Sequence, residues 1–374
     1  MLRFIHSSDL HLGKRFGNMP LELRGRLREA RHAVIGRLAS LAREHGASVI
    51  LLAGDTFDTE TPTPDIRRQA LAEMAHHAPL RWVLLPGNHD SLQATQLWNS
   101  LAGDKPENVV LATEPSVVAL APGVALLPAP CTTRRPGRDL TDWMDGAATE
   151  EGTIRLGLAH AAIHDFSEDS AASDVISPNR AFRSRLDYLA LGDWHGAIAV
   201  DPRTHYSGTP EPDRFKHDRP GQALLVDIAA AGATPEVTPV ETGTFLWRTV
   251  PLHMLPQDDP GTMLAGILPA GPRRRQSLMR IAATGRSSLN GRTALTAAID
   301  HAAPEFAYIE LDATDLATDC DAGDLDLIDR AGALREAAET LRTESLDEAK
   351  SLAERQVAQA ALVRLFSYCQ KIAS

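Results

Sequence analysis

Five short apolar runs recur along this 374-residue chain, and a polar motif containing aspartate, asparagine or histidine follows each of them. Uninterrupted apolar runs of this length are typical of parallel strands that are buried on both faces. The runs cover residues 2–5, 48–53, 82–85, 154–159 and 188–191. Segments with helical periodicity, at residues 21–44 and 64–77, lie between them. The alternation predicts a layered α/β fold.

The polar motifs offer carboxylate, imidazole and amide oxygen groups, which are the ligands that divalent metals take in proteins. They are Asp9-Leu10-His11, Gly54-Asp55-Thr56-Phe57-Asp58, Gly87-Asn88-His89-Asp90, His160 and Gly192-Asp193-Trp194-His195. Each motif alone is an ordinary turn, and a lone histidine after a strand is more often structural than a ligand. Side chains just past the carboxyl ends of neighbouring strands meet in one crevice, so the joint pattern predicts a site for two metals.

The motif series resembles that of the calcineurin-like metallophosphoesterases. The opening residues 5–13, the stretch 53–58 and Tyr206-Ser207-Gly208-Thr209-Pro210-Glu211 are similar to the SbcD and Mre11 branch of DNA repair nucleases. The resemblance covers roughly residues 1–245. It implies an α/β (α+β) fold in which a four-layer β-sandwich is flanked by helices. A small αβ capping domain and C-terminal helices would follow.

Carried over residue by residue, the resemblance implies that Asp9, His11 and His195 hold one cation. The other implied ligands are Asn88, His160 and Asp193 for the second cation, with Asp55 bridging the two. A carboxylate suits the bridge because its two oxygens can hold cations about 3.5 to 4 Å apart against their mutual repulsion.

Asp193 is a departure, since the resembled family has histidine at this place. With three carboxylates against two divalent ions, the charge of the centre falls to about +1, from about +2 with histidine. Oxygen ligands favour hard cations, so we expect Mn²⁺, with Mg²⁺ as the alternative, rather than zinc.

Such a centre would hydrolyse a phosphodiester or phosphomonoester, because two cations activate water and neutralise charge on the phosphoryl oxygens. The leaving alkoxide needs a proton, and His89 is the predicted donor. We expect the neighbouring Asp90 to hydrogen-bond the His89 ring and fix its tautomer.

The net charge of −11 does not favour strong DNA binding by the chain alone, because phosphate contacts usually require a basic face. Arg214 and Lys216 follow the segment 206–211, where the resemblance places nucleic acid, and they are the predicted substrate-binding residues. Either the chain borrows affinity from a partner or its substrate is small.

Domain boundaries are predicted at two changes of pattern, giving segments 1–244, 245–324 and 325–374. Residues 246–255, 277–283 and 307–312 have strand patterns, with a helix at 291–303, which fits a capping domain.

Residues beyond 325 predict two amphipathic helices, with Ser345-Leu346-Asp347-Glu348 as a capping box between them. The resemblance suggests that these helices dock an SMC/Rad50-like coiled-coil ATPase, and it allows a homodimer. Simple packing of these helices on the capping domain is the alternative.

Three cysteines, Cys131, Cys320 and Cys369, without CxxC spacing, argue against a disulfide framework and against a zinc ribbon. No signal peptide or membrane-spanning run is visible, so we expect a soluble cytoplasmic protein without membrane contact.

Three functions from different classes follow. The first is a metal-dependent DNA exonuclease or endonuclease working in repair with the ATPase. The second is a small-molecule phosphodiesterase or phosphatase on the same scaffold, which the acidic charge favours. The third is a catalytically weak interaction subunit in which Asp193 has impaired the second metal.

Overall fold

A computed structural model describes residues 1–163, 175–216, 218–319, 325–326, 328–329 and 332–373, so Cys320 lies outside the described residues. The chain forms two compact units, Met1–Leu246 and Trp247–Ser374. Cys131 and Cys369 are free thiols.

Two six-stranded sheets form the first unit. The strands are β1 (Leu2–Ser7), β2 (Val49–Leu52), β3 (Arg81–Leu84), β4 (Val109–Leu111), β5 (Val118–Ala121), β6 (Val124–Ala129), β7 (Ile154–His160), β8 (Tyr188–Gly192), β9 (Ile198–Asp201), β10 (Thr204–Tyr206), β11 (Gln222–Ile228) and β12 (Glu236–Glu241). The first sheet has the order β12-β11-β1-β2-β3-β4, and the second has the order β5-β6-β7-β8-β10-β9. Strands β1 to β4 run parallel, as do β6, β7, β8 and β10.

The helices of this unit are α1 (Leu21–Glu44), α2 (Pro64–His76), α3 (Thr95–Asp104) and α4 (Arg180–Arg183), with a 3₁₀ helix at Asp142–Gly146. Both predicted helices are confirmed, α1 with the predicted bounds and α2 one residue shorter. Thr63 caps α2, since its side chain accepts a hydrogen bond from the Ile66 amide, and Pro64 takes the first position, where no amide hydrogen is needed.

Apolar side chains fill three spaces between layers. The inner faces of both sheets share one cluster, to which Phe4 and Leu51 contribute from the first sheet and Leu156 and Tyr188 from the second. Helices α1 to α3 cover the outer face of the first sheet. The 3₁₀ helix and α4 cover the outer face of the second. The unit is therefore a four-layer sandwich of the predicted kind, because each sheet is covered on both faces.

The parallel strands of both sheets carry the polar motifs at their carboxyl ends. Asp9 follows β1, Asp55 follows β2 and Asn88 follows β3, while His160 ends β7 and Asp193 follows β8. This arrangement places the motifs at one edge of the sandwich, as the sequence predicts.

The second unit contains a three-stranded sheet and helices. Its elements are β13 (Leu246–Met254), α5 (Pro260–Ile267), β14 (Ser277–Ser288), α6 (Leu289–Ala302), β15 (Tyr308–Asp319), α7 (Ala333–Leu346) and α8 (Leu352–Ala373). The sheet order is β13-β14-β15, with β14 and β15 parallel over a longer stretch than predicted. Apolar side chains of α5 and α6 pack on this sheet.

The two predicted C-terminal helices are present as α7 and α8, but the predicted capping box is wrong. Ser345 lies inside α7, and Asp347 ends that helix. The box is Ser351 with Glu354: the Glu354 amide donates to Ser351 Oγ at 3.3 Å, and the Ser351 amide donates to Glu354 Oε2 at 2.9 Å. Among the described residues, none of the helices combines the length and the apolar character that crossing a membrane requires.

Candidate metal centre

Asp9, His11 and His195 form the first of two groups at the carboxyl edge of the sheets. His11 Nε2 lies 3.2 Å from His195 Nε2 and 3.8 Å from Asp9 Oδ1. His195 Nε2 lies 3.7 Å from the same Asp9 oxygen. One ligand atom from each residue lies within 4.8 Å of the others, so the three can surround a single cation. We call them the first half of the centre.

The second half consists of Asn88, His160 and Asp193. His160 Nε2 lies 3.7 Å from Asp193 Oδ1, and that oxygen accepts a 2.9 Å hydrogen bond from Asn88 Nδ2. Asp55 lies between the halves, because its Oδ2 is 3.7 Å from His11 Nε2 and 3.5 Å from His160 Nε2. The structure thus brings all seven predicted ligands together, with Asp55 in the bridging place.

Unpartnered polar atoms test whether these residues fit metal ions. Asp9 Oδ1, Asn88 Oδ1 and His160 Nε2 are buried without a hydrogen-bond partner among the described residues. His160 Nδ1 donates to the Ala53 carbonyl at 2.8 Å, so Nε2 is the ring nitrogen left to bind a cation. Buried polar atoms without partners are costly, and a cation would satisfy them. The donor set therefore fits two divalent cations.

Strained backbone holds several of these ligands. Asp9, His11, Asp55 and Asp193 have φ angles of 55°, 45°, 53° and 94°. This left-handed region is unfavourable for residues other than glycine, and strain of this kind concentrates at functional sites.

Two glycines permit the close approach of the motifs. A Cβ atom on Gly54 would lie 2.2 Å from His160 Nδ1, and one on Gly87 would lie 2.1 Å from Asp55 Oδ1. Because no Cβ atom tolerates such distances, side chains at either position would push the ligands apart.

The charges of the centre shift its pKa values strongly. Burial alone would raise the pKa of Asp55, but His160, His11 and His89 outweigh burial and hold that pKa below its usual value. Burial would lower the pKa of His160, and Asp55, Asp9 and Asp193 instead raise it well above the usual value. The pKa of Asp193 is raised by burial and by the carboxylates Asp9 and Asp55. Such mutual perturbation is typical of functional clusters.

The calcineurin-like phosphoesterase family model matches residues 2–197, which include every residue of both halves. The chain belongs to this family. The family predicted from the motifs is therefore confirmed, and the first unit carries a phosphoesterase domain.

Curated relatives are similar over longer stretches. A protein from Escherichia coli K12, named as the D subunit of nuclease SbcCD, is 26% identical over 267 residues, covering 61% of this chain and 64% of the relative. The chain thus spans just under two thirds of that relative's length. The protein of the same name from Rhodobacter capsulatus is 26% identical over 364 residues, covering 80% and 84%. Both matches agree with the predicted SbcD and Mre11 branch.

A solved structure from Thermus thermophilus is also similar, with a TM-score of 0.41 and 9% identity. That match covers 64% of this chain and 99% of the solved one.

Asp90 has partners in the phosphoesterase domain that differ from the prediction. Its Oδ1 accepts from the Gly87 amide at 2.7 Å, and its Oδ2 accepts from the Phe57 amide at 3.0 Å. Both oxygens thus bind backbone and fasten the loop after β3 to the loop after β2. Burial, with help from the charge of Asp55, raises the pKa of Asp90 to about 7. The predicted hydrogen bond between Asp90 and the His89 ring is wrong, because both carboxyl oxygens of Asp90 accept hydrogen bonds from buried loop amides instead.

His89 is oriented by a different group. Its Nδ1 lies 3.0 Å from the Asp58 carbonyl, and its ring packs edge-on against His11 with centroids 4.9 Å apart. A carbonyl only accepts, so Nδ1 carries the proton, and Nε2 is the atom left to exchange one.

Asp58 and Asp213 are site residues to which the sequence reasoning gave no role. Asp58 Oδ1 lies 3.3 Å from His11 Nδ1, and Asp213 Oδ1 lies 3.4 Å from His195 Nδ1. Carboxylates behind a ligating histidine fix the ring and raise its basicity. Asp58 was visible in its motif beside Asp55. The sequence contains one indication for Asp213, its position two residues after a segment already recognised as similar to the family.

Basic groups surround Asp213. Lys14 Nζ lies 2.8 Å from Asp213 Oδ2, and the buried Arg31 lies 3.4 Å from the same oxygen. Burial would raise the pKa of Asp213, but His195, Arg31 and Lys14 hold it well below its usual value. Asp213 is therefore a stable anion behind His195.

The predicted substrate-binding residues lie beside the first half. Arg214 Nη2 approaches His195 Nδ1 at 3.5 Å, and Lys216 Nζ lies 5.1 Å from the centroid of the Trp194 ring. Both basic side chains are exposed.

Proposed function

We propose that the chain is a metal-dependent phosphodiester hydrolase that acts on DNA ends in repair, as exonuclease or endonuclease. The observation that carries the proposal is the convergence of the seven predicted ligand side chains, of which Asp9, Asn88 and His160 each have a buried polar atom without a hydrogen-bond partner among the described residues. Family membership supports phosphoester hydrolysis. The relatives named as part of a nuclease support DNA as the substrate.

Each half would hold one cation, with Asp55 ligating both. Bound together, two divalent cations supply an activated water and positive charge beside the phosphoryl oxygens. The protein's own contribution is to hold the ligands in place before substrate arrives. Asp58 and Asp213 orient the histidines of the first half, and Ala53 orients His160 of the second.

His89 would protonate the leaving oxygen from Nε2, since the Asp58 carbonyl occupies Nδ1. Arg214 and Lys216 would bind flanking phosphates. Asp90 would act only through the loop that carries His89, because both of its oxygens bind backbone amides.

Manganese is the cation that we propose for the cell, with magnesium as the alternative. Four of the seven ligands, Asp9, Asp55, Asn88 and Asp193, offer oxygen, and oxygen-rich sites favour harder cations than zinc.

The acidic chain is proposed to work with a partner. A net charge of −11 gives little counterion release on DNA, so a second, DNA-binding protein would supply affinity. The relatives are named as one subunit of a nuclease, which is consistent with such an assembly. We propose an SMC/Rad50-like ATPase that docks on segment 325–374, with 245–324 as the capping domain and a homodimer of this chain as a further element.

A small-molecule phosphodiesterase is the second candidate function. The same net charge favours it, because a small ester needs no extended basic face.

Hydrolysis of linear DNA and of bis-p-nitrophenyl phosphate, with Mn²⁺ and with EDTA, tests these alternatives. The nuclease proposal expects Mn²⁺-dependent cleavage of both, with DNA cleavage weakening steeply as salt is raised. Cleavage of only the small ester, even with the ATPase present, would favour the second candidate. Absence of both activities in protein that binds Mn²⁺ would contradict hydrolysis itself.

A further inference from the structure

A cavity of about 330 Å³ opens beside the first half of the centre. Trp194, His195, Arg214, Lys216, Arg219 and Gln222 contribute to its walls. His195 belongs to both the cavity and the metal centre, so an occupant of the cavity would adjoin a group held by the cations. A volume of this size is at the lower end of those that hold small ligands.

Trp194 is the aromatic wall of this cavity. It stands in the chain between two ligands, Asp193 and His195, and its side chain is half-buried. The indole packs partly against the apolar cluster outside the second sheet. A ring fixed in this way offers a flat surface that loses little freedom when a planar group stacks on it.

The Lys216 ammonium lies 5.1 Å from the Trp194 ring centroid. An exposed cation–π contact is worth only about two- to fivefold in a binding constant. A base stacked on an aromatic side chain is worth roughly 5- to 150-fold. Stacking of a base on Trp194 would therefore be favoured over this cation–π contact.

The charges of the cavity suit a phosphate next to the base. Arg214, Lys216 and Arg219 are exposed basic side chains, and the cavity also contains Asp213 and Asp218. The Asp213 carboxylate contacts Lys14 and Arg31, and it also accepts a 3.0 Å hydrogen bond from Arg214 Nε. The three basic side chains of the cavity outnumber its two carboxylates.

We propose that this cavity is a subsite for one nucleotide, in which Trp194 stacks the base next to the phosphate at the metals. The subsite depends on the proposed action on DNA, and it would be the feature that selects a nucleotide over a simple phosphate ester.

Binding of a labelled single-stranded oligonucleotide in EDTA, followed by anisotropy, tests the subsite without cleavage. The comparison is between an intact oligonucleotide and one with an abasic residue at its end. In the wild type, we expect the abasic change to weaken binding about tenfold. In Trp194→Leu the two oligonucleotides should bind equally, and Trp194→Phe should retain most of the difference.

Trp143→Leu is the matched control, because Trp143 is another half-buried tryptophan that packs on the same apolar cluster, and it does not line the cavity. It should keep the tenfold difference. Equal binding of both oligonucleotides by the wild type, or an unchanged difference in Trp194→Leu, would overturn the subsite. If one of these outcomes is observed while the wild type still cleaves DNA with Mn²⁺, the subsite is refuted and the proposed function is not. If the wild type neither binds nor cleaves the oligonucleotide, the proposed function fails with it.

Discussion

The two halves of the metal centre hold their histidines by different means. In the first half, His11 and His195 each have a carboxylate behind Nδ1, at 3.3 and 3.4 Å. In the second half, the Nδ1 of His160 donates to a neutral carbonyl, that of Ala53, at 2.8 Å. A carboxylate increases the basicity of the ring that it contacts more than a carbonyl does.

The difference gives Asp193 a physical meaning. The first half has the carboxylate Asp9 among its proposed ligands and two further carboxylates, Asp58 and Asp213, behind its histidines. The second half has Asp193 as its own carboxylate, at the position where the family motif has histidine. Asp193 Oδ1 also accepts from Asn88 Nδ2, and Asn88 Oδ1 remains buried without a hydrogen-bond partner among the described residues. Asp193 thus gives the second half the one carboxylate that Asp9 gives the first.

Removal of the negative charge of Asp55 should affect both halves of the centre equally. Asp55→Asn leaves both sites without the shared anion, so we expect both cations to be lost. Activity should fall by at least about 10³-fold. Calorimetric titration with Mn²⁺ measures the first effect, and ester hydrolysis the second. The exposed Asp300→Asn serves as control. Retention of one tight site in Asp55→Asn would contradict the bridge.

His89 connects the halves, since it follows Asn88 in the chain while its ring contacts Asp58 and His11. For His89→Ala, we expect hydrolysis of an alkyl phosphodiester to slow about 10²- to 10⁴-fold, because the alkoxide loses its proton donor. Hydrolysis of bis-p-nitrophenyl phosphate should slow much less, since p-nitrophenolate needs no proton. The control is the exposed His301→Ala. Equal losses on both esters would count against an acid role.

Asp213→Asn should weaken the first half alone. Loss of the anion behind His195 should lower the affinity for one cation by about 10- to 100-fold and leave the other unchanged. A stepwise Mn²⁺ titration resolves the binding of the two cations. Urea unfolding without metal shows whether the variant is still stably folded. Asp58→Asn is the matched variant, since it removes the equivalent support from His11. Equal weakening of both cations would refute the separate support of the halves.

Asp193→His should change the second half alone. The substitution removes one charge and replaces an oxygen ligand by nitrogen, so the preference should shift towards zinc by about tenfold. Competition between Zn²⁺ and Mn²⁺, measured by bound metal after dialysis, tests this shift. An unchanged ratio would show that Asp193 does not set the metal preference.

The convergence of the polar motifs could be predicted because each follows an apolar run that had to be a strand, while the ligand assignment came from the family resemblance. Parallel strands then placed Asp9, Asp55, Asn88 and His160 at one edge without further information. The layers of the sandwich follow from the same runs, which are apolar on both faces. Local patterns near helix ends were less informative, since Ser345 and Ser351 both have glutamate three residues later.

The supporting contacts could not be predicted, because they depend on positions fixed only in the folded chain. We predicted a hydrogen bond between Asp90 and the His89 ring because the two residues are neighbours in sequence. In the structure, the buried amides of Gly87 and Phe57 donate to both oxygens of Asp90. Asp213 lies 18 positions from His195 in the sequence and reaches its ring only through the fold. The left-handed backbone of Asp9 and Asp55 was likewise not visible in the sequence.

The strand that leads into the second half is also anchored by a titratable group. His6 on β1 contacts the Tyr188 hydroxyl at 3.0 Å and the Leu191 carbonyl at 3.2 Å, and both partners belong to β8. Burial, with help from the charge of His205, lowers the pKa of His6 to about 3. An unfolded histidine has a pKa near 6.5, so between these values the unfolded state binds the extra proton. This contribution to stability is complete above about pH 6.5 and is lost as the pH falls.

Between pH 7 and pH 5 the loss attributable to His6 should be about 2 kcal/mol. His6→Gln keeps a donor and an acceptor but does not titrate. From pH 7 to pH 5 the free energy of unfolding of this variant should therefore fall by about 2 kcal/mol less than that of the wild type. Urea unfolding at both pH values measures the difference, and other histidines cancel in the comparison. His301→Gln, on an exposed helical position, should follow the wild type. Parallel pH slopes for His6→Gln and wild type would show that β8 is not held by a neutral His6.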